Sequence, residues 1–184
     1  MEMILFAIWF FLPAGMANMA PVFANKIPGL RNWDAPLDFG LKFRGKRVFG
    51  DNKRWRGLLL GIVLATITLG LQVWAFNNFG WAQDVAININ YFILPVYILG
   101  PLFAIGALGG DAIESFFKRQ RGIKPGKSWF PFDQLDYIVG GLLASFLVIQ
   151  LTLEEYLAVI VVWFCLHIIA TYVGYVIGLR DVKI

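Results

Sequence analysis

The sequence predicts an all-α integral membrane protein with five transmembrane helices and two long loops on one face. Of its 184 residues, 59% are hydrophobic and only 15% are charged, and the mean hydropathy is +0.68. A soluble domain of this length is rarely so apolar. The charged residues lie between apolar runs. Most of these runs have a length near the roughly 20 residues that a helix needs to cross a bilayer. We therefore expect one membrane domain over residues 1–184.

The predicted spans follow the apolar runs, and the two longer polar stretches between them are predicted loops. Glu2, and no Lys or Arg, precedes the first run. Because a secretory signal needs a basic N-terminal region, we expect a retained helix there. The single cysteine, Cys165, lies in an apolar run and indicates no disulfide framework. The predicted spans are 3–24, 57–76, 91–110, 137–153 and 156–178, and the predicted loops are 25–56 and 111–136.

The cations are distributed on one side of the predicted membrane topology. All sixteen Lys and Arg residues fall in the loops 25–56 and 111–136 or after residue 178. The opposite side carries only four acids, which are Glu2, Asp84, Glu154 and Glu155. The positive-inside rule therefore predicts an outer N-terminus and a cytoplasmic C-terminus. The charged loops, and any chemistry, are expected on the cytoplasmic face of the cell membrane.

Acidic residues at the end of the third span form the first candidate site. If the helix continues past Gly110, Asp111, Glu114, Ser115 and Lys118 share one face at spacings of i, i+3, i+4 and i+7. Carboxylates at membrane depth are costly, and beside a basic cluster they suit a divalent cation and a polyphosphate. A solvated helix end with an internal Asp–Lys pair explains the same spacing about equally well.

A second pair of acids opens the fourth span. Proline readily begins a helix, so Pro131 places Asp133 and Asp136 in its first turns, on one side of the helix. The helix macrodipole alone explains one acid here better than two. Glycines flank both acidic sites and would let the two helices pack closely. We therefore expect Asp111, Asp133 and Asp136 to converge on one divalent-metal site.

The first loop ends in a run of cations interrupted by glycines, from residue 44 to residue 57. Glycines let the backbone bend around an anion, and arginine offers forked donors to phosphate oxygens. A topology anchor that contacts acidic lipids is the alternative, and the interfacial Trp55 suits it. Asp51 does not suit an anchor. Nucleic-acid binding is not expected, because this basic surface already faces the phosphates of the membrane.

Three further features give weaker indications of phosphate binding or catalysis. Gly126, Lys127 and Ser128 resemble the end of a P-loop, but the glycine spacing is wrong and no predicted strand precedes them. Lys124 is expected to contact phosphate or lipid headgroups. His167, the only histidine, is expected to be a buried, hydrogen-bonded helix residue rather than a base or metal ligand. No Ser–His or Cys–His arrangement indicates covalent catalysis.

Three stretches together resemble the CDP-archaeol synthase family: residues 36–57, 110–126 and 131–141, including GDNKRWRG, GDAIESFFKRQRGIKPG and DQLDYIVGG. The related phosphatidate cytidylyltransferases share a Ser-x-x-Lys-Arg run, matched by Ser115 to Arg119, and a closing Asp-x-x-Asp, matched by Asp133 and Asp136. They usually carry His-Gly-Gly before that closing pair, where this chain has Ser-Trp-Phe-Pro-Phe. The archaeal-lipid branch is therefore favoured.

The resemblance implies a Mg²⁺-dependent reaction in which CTP and a lipid phosphate, 2,3-bis-O-geranylgeranyl-sn-glycerol 1-phosphate, give CDP-lipid and pyrophosphate. A phosphomonoester, with a second pKa near ~6, is largely dianionic and needs no general base. The expected metal ligands are Asp111, Asp133 and Asp136, with Lys118 and Arg119 on the phosphates. The expected substrate-binding residues are Lys46, Arg47, Asp51, Lys53, Arg56, Glu114, Ser115 and Lys124.

Two alternatives remain open on the sequence alone. One is a phosphatidate cytidylyltransferase that makes CDP-diacylglycerol, and the other is a non-catalytic membrane anchor or scaffold. No pair of broken helices in matching halves indicates a transporter. The expected partners are CTP, the lipid phosphate and membrane lipids, and the oligomeric state stays open, with a homodimer as one option.

Overall fold

The computed structural model describes residues 1–124 and 126–177. Within these residues the fold consists of seven α-helices, a short 3₁₀ turn at Tyr91–Ile93 and one two-stranded antiparallel hairpin. The elements in chain order are α1 (Glu2–Ala24), α2 (Pro28–Arg31), β1 (Lys42–Phe43), β2 (Lys46–Arg47), α3 (Trp55–Asn78), α4 (Gly80–Ala86), α5 (Val96–Gln120), α6 (Phe132–Ser145) and α7 (Leu153–Val176).

Four of these helices, α1, α3, α5 and α7, are long and apolar enough to cross a membrane, with 23 to 25 residues each. They correspond to the first, second, third and fifth predicted spans. The predicted fourth span, 137–153, differs, because α6 begins at Phe132 and ends at Ser145 after only 14 residues. The fifth crossing and the orientation therefore stay predictions. Residues 178–184, including the C-terminal cations Arg180 and Lys183, lie outside the described residues.

The third helix is shifted along the chain relative to its prediction. The sequence predicts a span over 91–110, whereas α5 begins at Val96 and continues to Gln120. The stretch from Asp111 to Gln120 contains no proline or glycine to stop it, and Lys118 and Arg119 suit the negative end of the helix dipole. Much of the predicted loop 111–136 is consequently helical, and the polar connection runs from 121 to 131.

Helix α1 lies at the centre of the helical bundle and contacts α3, α5, α6 and α7. Its Phe6, Phe10 and Phe11 are fully buried or nearly so. The Phe10 ring packs edge-on against Phe103 of α5 at 5.5 Å, and the Phe11 ring packs against Trp163 of α7 at the same distance. Because α1 supplies this aromatic core, the other helices are free to expose apolar side chains outward, as a lipid environment favours.

Helices α5 and α6 pack with their backbones almost in contact. A Cβ atom on Gly106 would overlap the carbonyl of Gly140, and one on Gly110 would overlap the carbonyl of Asp136. Small residues at such an interface allow the close approach predicted from the sequence. Gly141 instead faces Phe11 of α1, and Gly109 faces open space. This packing sets the acidic end of α5 beside the first turns of α6.

Candidate active site

A cavity of about 530 Å³ lies where α5, α6 and α7 meet the two polar loops. Its walls come from five parts of the chain that are far apart in sequence. Most of the lining residues are polar or charged, although the cavity is set into an apolar helical bundle. The lining side chains are those of residues 49–53 in the first loop, Asp111, Glu114, Ser115, Lys118 and Arg119 in α5, residues 126–128, Asp133, Gln134 and Asp136 in α6, and His167 and Thr171 in α7.

Three carboxylates converge in this cavity. One oxygen each of Asp111, Glu114 and Asp136 lies within 4.8 Å of the other two. Asp111 and Glu114 are one turn apart on α5, and the close packing at Gly110 places Asp136 of α6 opposite them. Ligands on opposite sides of an octahedral Mg²⁺ ion are about 4.2 Å apart, since each lies ~2.0–2.1 Å from the metal. The three hard oxygen donors lie close to this spacing, and small side-chain movements would bring them onto one magnesium ion.

Asp133, predicted to be the third metal ligand, has other partners. One of its oxygens accepts a hydrogen bond from the Lys118 ammonium at 2.6 Å, and the other accepts from the Trp129 backbone N–H at 2.8 Å. Asp133 lies in the first turn of α6, where its carboxylate caps the preceding turn. The described geometry thus groups Glu114, and not Asp133, with Asp111 and Asp136.

Cations stand beside this acidic group. Lys53 of the first loop forms an ion pair with Asp111. Lys118 is mostly buried between Asp133 and Glu114, with its ammonium 3.5 Å from Oε1 of Glu114. Arg119 lines the cavity, and its buried Nε has no hydrogen-bond partner among the described residues. A buried donor left unsatisfied is costly, so an anionic oxygen in the cavity would stabilise Arg119.

Four predicted substrate-binding cations lie outside the cavity lining, and three of them, Lys46, Arg47 and Arg56, hold the first loop. Lys46 donates to the backbone carbonyl of Gln120 at 2.7 Å, which ties β2 to the end of α5. Arg47 bridges the carboxylates of Asp38 and Asp51, at 2.6 Å and 2.5 Å. Lys124 is exposed beyond the rim. By contrast, four other residues predicted to bind substrate line the cavity: Asp51, Lys53, Glu114 and Ser115.

Arg56, also predicted to bind substrate, is a buried anchor of the first loop. Only 7% of the residue is exposed, and it lies away from the large cavity. A planar guanidinium with five donors suits several backbone and side-chain oxygens at once. Its hydrogen bonds reach the carbonyls of Arg31 and Trp33, the carboxylate of Asp34 and the side-chain oxygen of Asn25.

Asp38 is a buried carboxylate, and only 3% of the residue is exposed. It accepts hydrogen bonds from the Arg47 guanidinium and from the backbone N–H groups of Gly40, Phe49 and Gly50. Burial raises the pKa of Asp38, but the hydrogen bonds from Arg47 and from these three N–H groups outweigh it and lower the pKa to about 2. The carboxylate is therefore charged at neutral pH.

Several lining residues were not predicted from the sequence. His167, expected to be buried in its helix, is at the cavity wall with its ring 5.5 Å from that of Tyr137. Thr171 follows four residues later on the same face of α7. Gln134 is almost fully buried, and its Oε1 has no partner among the described residues. The pair at i and i+4 in an otherwise apolar span was the signal that could have found the α7 wall.

Comparison with known proteins identifies the family of this chain. The model of the CarS-like family, described as CDP-archaeol synthase, matches residues 1–184. A CDP-archaeol synthase of Methanococcus aeolicus is 35% identical over 177 residues, covering 94% of this chain and 92% of the relative. The CDP-archaeol synthase of Thermococcus onnurineus is 32% identical over 180 residues, covering 97% and 96%.

A solved structure is also similar. It is described as an intramembrane enzyme for archaeal membrane lipid biosynthesis, and it superposes with a TM-score of 0.69 at 31% sequence identity. The match covers 89% of this chain and 91% of that one. With the family model matching the full length and these relatives covering nearly all of it, the chain belongs to the CDP-archaeol synthase family.

Proposed function

We propose that this protein transfers CMP from CTP to an archaeal-type lipid phosphate, 2,3-bis-O-geranylgeranyl-sn-glycerol 1-phosphate, and releases pyrophosphate. The observation that carries the proposal is the cavity in which three converging carboxylates stand beside buried cations. Acids for a divalent metal and cations for phosphate are what phosphoryl-type transfer requires. The membership of the family supports the same substrates.

In the proposed reaction, an oxygen of the lipid phosphate attacks the α-phosphorus of CTP. The bond from that phosphorus to the oxygen shared with the β-phosphate breaks, and pyrophosphate leaves with the electron pair. The attacking dianion has no proton to lose, so no general base is required. Lys53, Lys118 and Arg119 position the phosphates and neutralise their charge, which supplies the electrostatic stabilisation of the transition state.

Asp111, Glu114 and Asp136 would hold the Mg²⁺ ion, because their oxygens lie within the reach of a single cation. A bound Mg²⁺ supplies Lewis acidity and charge neutralisation at the triphosphate. Asp133 holds Lys118 in place, which makes it a positioning residue in this proposal.

We place the site on the cytoplasmic side, with five membrane crossings and an outer N-terminus. The one-sided distribution of Lys and Arg supports this orientation. The isoprenoid chains of the substrate would lie between helices, in the membrane. Labelling single cysteines in intact cells tests it: an impermeant reagent should modify a cysteine at Asp84 and spare one at Lys46. The reverse pattern would overturn the orientation.

The activity is tested with purified protein, labelled CTP and Mg²⁺, offered either the isoprenoid ether lipid phosphate or a diacyl phosphatidate. We expect labelled CDP-lipid from the ether lipid and much less from the phosphatidate. A preference for phosphatidate would assign the protein to the diacylglycerol reaction. If neither product forms and the protein also shows no Mg²⁺-dependent CTP binding, the protein is a non-catalytic membrane protein. Asp136→Asn, which removes one carboxylate from the cluster, is the negative control.

A further inference from the structure

Five consecutive residues of the first loop, 49–53, form one wall of the cavity. They have no regular secondary structure of their own, and Gly50 adopts a φ of +88° in the left-handed region that favours glycine. Lys53, at the end of this segment, reaches across to pair with Asp111 on α5. An irregular segment holds such a position only if other parts of the structure fix its backbone.

The fixed points lie in residues 35–38, just before the hairpin. The Leu37 N–H donates to the Lys53 carbonyl at 2.8 Å, and the Trp55 N–H donates to the Ala35 carbonyl at 3.1 Å. These bonds hold the far end of the segment. One oxygen of Asp38 accepts from the backbone N–H of Phe49 at 2.9 Å and from that of Gly50 at 3.2 Å. This carboxylate holds the near end.

The same carboxylate controls the middle of the segment through Arg47. The guanidinium of Arg47 donates to Asp38 at 2.6 Å and to Asp51 at 2.5 Å, so one side chain links the buried acid to an acid at the cavity. Hydrogen bonds that involve charged groups on both sides are about twice as strong as neutral ones. Asp38 is almost fully buried, whereas the side chain of Asp51 is 77% exposed. The buried acid is therefore the fixed centre of this network.

We propose that Asp38 is a positioning residue for the nucleotide: its carboxylate holds residues 49–53 as a wall of the cavity, so that Lys53 stands where the CTP phosphates bind. This role rests on the function proposed above. Asp38 itself contacts neither the cavity nor the acidic cluster, and it acts through the backbone of Phe49 and Gly50 and through Arg47. Loss of its charge would leave these donors with a weaker acceptor and would release the segment while the helices stay packed.

The test is Asp38→Asn, which keeps the shape but places an amide donor beside the guanidinium. We expect the KM for CTP to rise by about 10-fold to 100-fold, by analogy with the loss seen when a residue that orients a metal ligand is replaced. The KM for the lipid phosphate should change much less. Hydrogen–deuterium exchange should become faster at residues 39–53 but not in α5 or α6. Asp38→Glu restores the charge and should recover part of the CTP affinity, and it replaces the asparagine variant if that one does not fold.

Asp34→Asn is the matched control, because it makes the same change in the same loop. The Asp34 side chain is 64% exposed, and its partners, Arg54 and Arg56, do not line the large cavity. We expect this variant to keep the wild-type KM for CTP and slow exchange at residues 49–53. Equal effects of the two substitutions would show that the loop needs its ion pairs only to fold, which would overturn the proposal.

Two further outcomes separate this proposal from the assigned reaction. Normal CTP kinetics in Asp38→Asn, with or without faster exchange, would overturn the positioning role and leave the reaction untouched. A fall in the amount of active protein with an unchanged KM would do the same. If the unmodified protein makes no CDP-lipid from any lipid phosphate, the reaction itself is wrong, and the positioning role is overturned with it.

Discussion

Replacement of Lys118 by methionine tests the electrostatics of the cavity most directly. The substitution keeps an unbranched side chain of similar length and removes only the ammonium group. In the wild-type structure this ammonium lies 2.6 Å from Asp133 and 3.5 Å from Glu114. The side chain of Lys118 is 11% exposed, that of Asp133 is 23% exposed and that of Glu114 is 7% exposed, so little water can replace the lost cation.

The size of the effect follows from these distances. Two unit charges 3.5 Å apart attract by about 5 kcal/mol at an effective dielectric constant of about 20. The cost of desolvation offsets part of this attraction, and removal of one partner of a buried ion pair costs about 3–5 kcal/mol. For a chain of this size such a loss lowers the melting temperature on the order of 10 °C. Mg²⁺ bound by the neighbouring acids would neutralise the same negative charge, so the loss should be smaller when Mg²⁺ is present.

The assay is thermal unfolding of the purified protein in detergent, measured in EDTA and again in millimolar Mg²⁺. We expect Lys118→Met to unfold far below the wild type in EDTA and to recover more than the wild type when Mg²⁺ is added. Lys127→Met is the control, because Lys127 is an exposed cation of the same cavity that forms no ion pair within the described residues. A Lys118→Met protein as stable as wild type in EDTA would refute the reasoning, as would a recovery no larger than that of the control.

The remaining predictions concern the metal ligands, the helix contact and the first loop. Glu114→Gln should weaken Mg²⁺ binding, measured by calorimetry, by about 10-fold or more, whereas Asp133→Asn should weaken it less, since its carboxylate binds Lys118. Gly110→Val should lower both the melting temperature and Mg²⁺ affinity, because its side chain would overlap α6, and Gly109→Val, which faces open space, should leave both near wild type. The folded pKa of Asp38, about 2, is below its ordinary value of 3.8, so its stabilisation is complete above pH 3.8 and is lost as the pH falls through about 2. In the wild type, hydrogen exchange of the first loop should consequently stay slow at pH 4 and become faster as the pH falls through about 2. In Asp38→Asn, which has no carboxylate at this position, exchange of the loop should show no such acid transition.

The sequence alone determined the kind of protein and named half of the residues that line the cavity. Apolar runs and one-sided cations predicted the membrane class, and helices of spanning length lie at four of the predicted spans. The i, i+3 spacing of Asp111 and Glu114 predicted their common face because helical periodicity is a local property. The glycines beside the acids predicted the close packing of α5 and α6 for a similar reason, since a residue without a side chain limits what its helix can contact.

Only the tertiary structure decided the partners of each charged side chain. Asp133 and Asp136 lie three residues apart at the start of the same helix. Even so, Asp133 binds Lys118 and Trp129, whereas Asp136 faces Asp111. Which partner each aspartate contacts depends on the angle at which α6 packs against α5, and no local sequence pattern predicts that angle. Arg56 likewise shares a cationic run with Lys53, but the fold buries one and directs the other to the cavity.

The wall formed by α7 shows the same limit. His167 and Thr171 are far along the chain from every acid of the cavity, and their placement depends on how α7 packs against α1 and α6. Periodicity assigns a residue to a face of its own helix, and composition assigns the helix to the membrane. Which face meets which neighbour is decided by the summed packing of all the helices, so it appears only when the chain is folded.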